Sequence, residues 1–167
     1  MRRQMGFTLI EMLVVILLIG LLAAMAIPYL MGGVKRQQIE ESMALVEGYK
    51  PLIDAYYKFY GLFPDDEVEV DGIPLAHRII GNYITRVDLV DGAMHLRFGH
   101  KAHEALQGKT LSIQPTYVPD SPDSPVSWVC GVDPPAPGMR GSGDNLTDIP
   151  VVDLPFVCRN RLQQSDG

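Results

Sequence analysis

From Met12 to Val34 the chain runs for 23 residues without a single charge. As a helix rising 1.5 Å per residue, that stretch is about 35 Å long, against about 30 Å of bilayer hydrocarbon, so it is long enough to span a membrane. Apolar residues make up 47% of the 167-residue chain, but they pile up here rather than spreading evenly. The remainder of the chain, beyond Val34, suits one modest domain.

The flanks give the run a direction. Arg2 and Arg3 precede it, and positive flanks stay on the cytoplasmic side, which predicts an N-in, C-out chain. Cys130 and Cys158 then lie outside the cytoplasm, where an even pair is most simply a disulfide, with two free thiols as the alternative. The formal charge is −6, and loss of Arg2 and Arg3 with a leader would leave 12 basic and 20 acidic residues, a net −8. So acidic a surface disfavours nonspecific binding to phosphates.

Three readings fit the N-terminus. A conventional signal peptide would use Ala24-Met25-Ala26 as a small-x-small cleavage site. A plain membrane anchor explains the length of the run. Neither explains Glu11, an ionisable residue at its edge, where a carboxylate is costly and points to function. The third reading uses every oddity: a short basic leader ending in Gly6, cleavage on the cytoplasmic side, and retention of the apolar helix.

The residues Gly6-Phe7-Thr8-Leu9-Ile10-Glu11 resemble the prepilin peptidase site shared by type IV pilins and type II secretion pseudopilins. The resemblance implies cleavage between Gly6 and Phe7, N-methylation of Phe7, and an assembly role for Glu11. The spacing suits that chemistry. Glu11 lies four residues beyond Phe7, one helical turn away on the same face and near the positive end of the helix dipole. In a bundle of apolar helices, the Phe7 ammonium of one subunit would pair with the Glu11 carboxylate of another and set the axial register.

Past the run, Ile39, Met43, Val46, Ile53, Tyr56 and Tyr60 recur at helical spacing, with Lys35, Arg36, Gln37, Glu40 and Glu41 on other faces. The helix is expected to continue, now amphipathic, from Phe7 to Tyr60, interrupted by Gly20, Pro28 and Pro51. The type IV pilin resemblance implies that the stretch between Gly20 and Pro28 loses helicity in an assembled filament; a simple kink is the alternative.

Gly61-Leu62-Phe63-Pro64 stops the helix, and a connecting region leads to about Ile84. Strand-like runs come next at 86–90, 94–98, 111–116 and 126–129, with a tight turn at Asp91-Gly92. They read as an antiparallel sheet whose apolar face covers the amphipathic half of the helix, an α+β domain. Prolines crowd the stretch from Pro115 to Pro155, which can form little regular structure alone and needs a staple. A Cys130 to Cys158 bridge would supply one, at roughly 3.5 kcal/mol. Val126-Ser127-Trp128-Val129-Cys130-Gly131 and Leu154-Pro155-Phe156-Val157-Cys158-Arg159 resemble the later strand and disulfide-bounded loop of type IVa pilins. The expected fold is the type IV pilin fold: a long N-terminal helix packed on an antiparallel sheet with a C-terminal disulfide-bounded loop. Its parts would be a leader (1–6), a transmembrane and filament-core helix (7–34), an amphipathic half (35–60) and a globular region (61–167).

Other constellations are weaker. His100 and His103 lack further zinc ligands. Asp65, Asp66, Glu67, Glu69 and Asp71 lack EF-hand spacing, and Asp144, Asp148 and Asp153 only imitate a pseudopilin calcium loop. Asn145-Leu146-Thr147 is a glycosylation-type tripeptide. Core packing is the expected role of most of Tyr49, Tyr56, Tyr57, Phe59 and Tyr60. No nucleophile with a spaced base, phosphate loop or redox CxxC is present, so neither enzyme activity nor a cofactor or metal is expected.

The resemblance implies a homo-oligomeric helical filament, membrane-held before assembly and extracellular after it, serving adhesion, twitching motility or DNA uptake. Expected partners are the prepilin peptidase and methyltransferase, the inner-membrane pilus assembly machinery, and minor pilins. The alternatives are a type II secretion pseudopilin, or a DNA-binding competence pilin reading DNA through Arg140, Arg159 and Arg161.

Overall fold

The computed structural model describes residues 8–66 and 70–160, with the side chains at 25–32 and 76 outside the description. Gly6, Phe7, Glu67, Glu69 and Arg161 therefore lie outside the described residues. The chain divides into two compact units between Val34 and Lys35.

Helix α1 (Leu9–Val46) is continuous, including the stretch from Gly20 to Pro28. In the first unit its apolar side chains are exposed, Leu9 to 84% and Leu22 to 67%. Nothing lies within 4 Å of where a Gly20 side chain would begin, so packing within the subunit does not require that glycine. Among the described residues no helix is long and apolar enough to cross a membrane. The described side chains of the apolar run stop at Ala24, and the span rests on the sequence.

In the second unit, α1 runs through a single 3₁₀ turn, Glu47–Tyr49, into α2 (Lys50–Tyr60). Pro51 accounts for the break. It has no N–H to give the Glu47 carbonyl, and that oxygen instead accepts from Lys50 in the tighter turn. The buried stripe keeps its seven-residue spacing across this turn, from Ile39 to Val46 to Ile53. Ile39, Val46, Ile53 and Tyr57 face the core, whereas Tyr60 is exposed. This corrects the end of the expected stripe: Tyr56 is half-buried as expected, but Tyr57 rather than Tyr60 is the ring that reaches the core. The helix stops at Gly61, whose N–H still reaches the Tyr57 carbonyl.

The strands are β1 (Ile84–Val90), β2 (Ala93–Phe98), β3 (Thr110–Tyr117), β4 (Ser127–Cys130) and a two-residue β5 (Arg140–Gly141). They pair antiparallel in the order β1-β2-β3-β4, and β5 joins β3 at Thr116 and Tyr117. Asp91 and Gly92 form the predicted hairpin turn, both with positive φ. Gly92 is required there for a second reason: Phe63 packs so close that a Cβ would sit 2.8 Å from its ring. Val87, Leu89, Met94, Leu96, Phe98, Leu111 and Ile113 from the sheet meet Ile39, Val46 and Ile53 from the helix, with Leu106, Leu154 and Cys158 closing the core. This is the expected α+β architecture, a helix laid on an antiparallel sheet.

Candidate assembly surfaces

At the start of α1, Thr8 and Glu11 hold each other. The Thr8 N–H and hydroxyl donate to Glu11 Oε2 at 3.0 and 2.8 Å, and the Glu11 N–H donates to Thr8 Oγ1 at 3.4 Å. This reciprocal capping box satisfies N–H groups that a helix otherwise leaves open. Its Thr-x-x-Glu spacing is a sequence signal for a cap, and it gives Glu11 a role within the subunit beside the expected one between subunits. The cap fixes the carboxylate at the helix start and leaves Oε1 without a partner among the described residues. That oxygen remains available to a cation.

The C-terminal loop is closed by the Cys130–Cys158 disulfide, across a sequence separation of 28. Gly131 makes the closure possible, because a Cβ there would sit 2.5 Å from the Cys158 carbonyl oxygen. The loop is then laced to the sheet. Asp148 accepts from the Thr110 N–H and pairs with Lys109. The Ser112 N–H donates to Thr147 Oγ1, and Ser112 Oγ accepts from the Leu146 N–H. The Asn145 amide donates to the Gly131 carbonyl, and its Oδ1 accepts from the Thr147 N–H. The glycosylation-type tripeptide is thus a structural clamp.

The far end of the loop is tied to α1. Lys35 forms an ion pair with Asp153, whose carboxylate is almost wholly buried. Arg36 donates to the Val152 carbonyl at 2.9 Å, and Arg159 to those of Val152 and Leu154 at 3.1 and 2.9 Å. Both guanidiniums lie over the Phe156 ring. Arg159, a candidate for DNA contact, is therefore occupied by its own loop, whereas Arg140 is exposed on β5. Asp148 and Asp153 are each engaged with a lysine, and among the described residues no group of three His, Cys, Asp or Glu is placed to hold a metal ion. His103 caps a 3₁₀ turn by accepting from the Ala105 N–H.

One buried and one half-buried polar site have shifted pKa values. His95 on β2 is 3% exposed and lies 2.9 Å from Ser112 Oγ. Burial pushes its pKa down, outweighing the opposing pull of Asp88, Asp144 and Asp66. Asp54 on α2 is shifted upward, again mainly by burial, with Trp128, Lys58 and Lys50 opposing. The aromatics divide. Tyr57, Phe63 and Tyr117 stack together at the core's edge, whereas Phe59 and Tyr60 project outward, so core packing does not account for those two.

Residues 1–27 match the family described as a prokaryotic N-terminal methylation motif, and residues 36–155 match the pilin (bacterial filament) family. The chain is 30% identical to a type IV major pilin protein PilE of Neisseria gonorrhoeae, over 97% of this chain and 98% of that one. It is 29% identical to a fimbrial protein of Neisseria meningitidis, over 97% and 98% of the two chains. It is 33% identical to the fimbrial protein EcpC of Eikenella corrodens, over 76% of this chain and 82% of the relative.

Proposed function

Because this chain belongs to the type IV pilin family, a family of structural subunits rather than enzymes, we propose that it is the repeating subunit of a surface filament whose core is the bundled 7–34 helix. The observation that carries this reading is the exposure of that helix. Its described apolar side chains from Leu9 to Leu22 stand open, while the domain after Lys35 buries a core of its own. An apolar surface of that extent needs a bilayer or other copies of the same helix around it. The subunit is first held in the inner membrane, N-in, by the uncharged run Met12 to Val34, and then passes into the filament. Prepilin peptidase cleaves between Gly6 and Phe7 and the new N-terminus is methylated, leaving a cation on Phe7. The assembly machinery and minor pilins act on this processed form. In the bundle, that cation meets Glu11 of another subunit, whose carboxylate the Thr8 cap already holds in position. The region between Gly20 and Pro28 gives up helix on assembly and lets the filament stretch.

The relatives named major pilin or fimbrial protein favour a filament over a secretion pseudopilin. The filament's tasks are adhesion and twitching motility, and DNA uptake in so far as other subunits add cations to the exposed Arg140 of this net-acidic chain.

The test is Glu11→Ala. The variant is expected to remain in the membrane, processed and disulfide-bonded, while surface filaments fall by tenfold or more, consistent with loss of a desolvated charge pair worth roughly 1.5 kcal/mol or above. Filaments at the normal level from this variant would refute the assembly role.

A further inference from the structure

The domain that begins at Lys35 leaves two apolar patches uncovered, and they lie at opposite ends of its helix. One is at the close of α2, where Phe59 is 81% exposed and Tyr60 and Leu62 are more than half exposed. The Tyr60 ring lies 4.4 Å from that of Tyr56 and 4.7 Å from that of Phe59. The other is in the disulfide-bounded loop, where Val152 is 67% exposed and Val151, Phe156 and Val157 about half or more. Arg36, at the start of this domain, donates to Val152 and lies over Phe156. From Arg36 to Phe59 the chain is helical almost without interruption, a separation of roughly 35 Å.

The patches also differ in charge. Exposed Asp71 lines the cleft beside Tyr56, Phe59 and Tyr60, and exposed Lys58 precedes Phe59 on the same turn. The loop patch carries Arg36 and Arg159, whose guanidiniums are committed to backbone carbonyls and to Phe156, with no carboxylate opposite either among the described residues. One end is aromatic with the Asp71 carboxylate in its cleft; the other is aliphatic and carries two guanidiniums.

A patch that matched itself would close a two-fold dimer. Two unlike, complementary patches at opposite ends of one domain instead make a heterologous contact that propagates. We propose that the 151–157 patch of one subunit seats on the α2-end patch of a second copy of this chain. The Val152 and Phe156 side chains meet Phe59 and Tyr60, and Arg36 faces Asp71. This rests on the filament reading and adds to it the surfaces by which the domains, as distinct from the N-terminal helices, meet.

The experiment places cysteines at Phe59 and Val152, both exposed, and oxidises sheared filaments after mass analysis has verified the native disulfide. The Phe59→Cys, Val152→Cys double variant should give a ladder of multimers on a non-reducing denaturing gel, and neither single variant should. Filaments that form but yield no ladder overturn the proposal, as do dimers from either single variant, which would mean a self-matching patch. Should the double variant not assemble, Asp71→Lys and Arg36→Glu decide. Each alone should lower filament yield about tenfold, and the two together should restore it; absence of restoration counts against the contact. If cells carrying the unaltered chain bear no filament containing it, the filament reading itself has failed, a result separate from all of these.

Discussion

The helix before Val34 and the domain after Lys35 are made by different physics. The first keeps its shape through backbone hydrogen bonds and one cap. Its Leu, Ile and Val side chains gain nothing from the subunit's own core, and they stand exposed along the whole of the described run. The second buries Phe98, Leu96, Ile39 and Leu154 almost completely and uses one disulfide to hold its proline-rich end against them. The first unit is thus unfinished without a bilayer or neighbours, whereas the second is complete as a subunit. Substitutions in the first should be read in assembly, and substitutions in the second in folding.

The largest contrast should come from paired truncations. Phe98→Ala, at a side chain 1% exposed, should lower domain stability by roughly 3–5 kcal/mol. Leu17→Ala, on the bare helix, should move it by less than about 0.5 kcal/mol. Urea unfolding of the detergent-solubilised chain, followed by Trp128 fluorescence, measures both; a large effect from Leu17→Ala would break the division.

A smaller effect is expected at the first residue of the domain. Lys35→Ala leaves the Asp153 carboxylate buried without its cation, a loss of roughly 2 kcal/mol. Replacing both by apolar residues of similar size should cost less than the single change. A double substitution as damaging as Lys35→Ala would mean that the pair matters for more than compensation.

The smallest is a pH dependence. Because His95 is held neutral, its pKa is lower in the folded chain than the ordinary value of about 6.5. Above that value both states are neutral there and His95 contributes no slope. As pH falls below about 6.5 the unfolded chain takes up a proton that the folded one refuses, so stability drops by at most about 1.4 kcal/mol per pH unit, until the folded pKa is passed. His95→Gln should flatten this part of the urea-midpoint profile while leaving the first unit unaffected.

Most of the domain is legible in the sequence, because strong local signals agree with the global pattern. Asp91-Gly92 marks its hairpin, Gly61 the helix end, and the alternating runs around Val87, Leu96 and Ile113 the sheet. The end of the buried stripe on α2 is less legible. Tyr56, Tyr57 and Tyr60 all lie within helical reach of Ile53, and it is Phe63 and Tyr117, distant in the chain, that make Tyr57 the ring that turns inward. β5 escapes because two residues, Arg140 and Gly141, carry no periodicity. Lys35 reads only as a solvated face residue, since its partner Asp153 lies more than a hundred residues along the chain. Thr8 escapes for a different reason: Glu11 carries both a capping signal and an assembly signal, and the second hides the first.

Everything proposed for the filament depends on the apolar helix being kept in the mature protein and processed only at its cytoplasmic edge. The direct measurement is the N-terminal residue of the subunit in purified extracellular filaments, by mass spectrometry. Methylated Phe7 in the dominant band is the predicted result. A subunit beginning at Ile27 would mean removal of the helix by a conventional signal peptidase, and would contradict a filament core built from that helix.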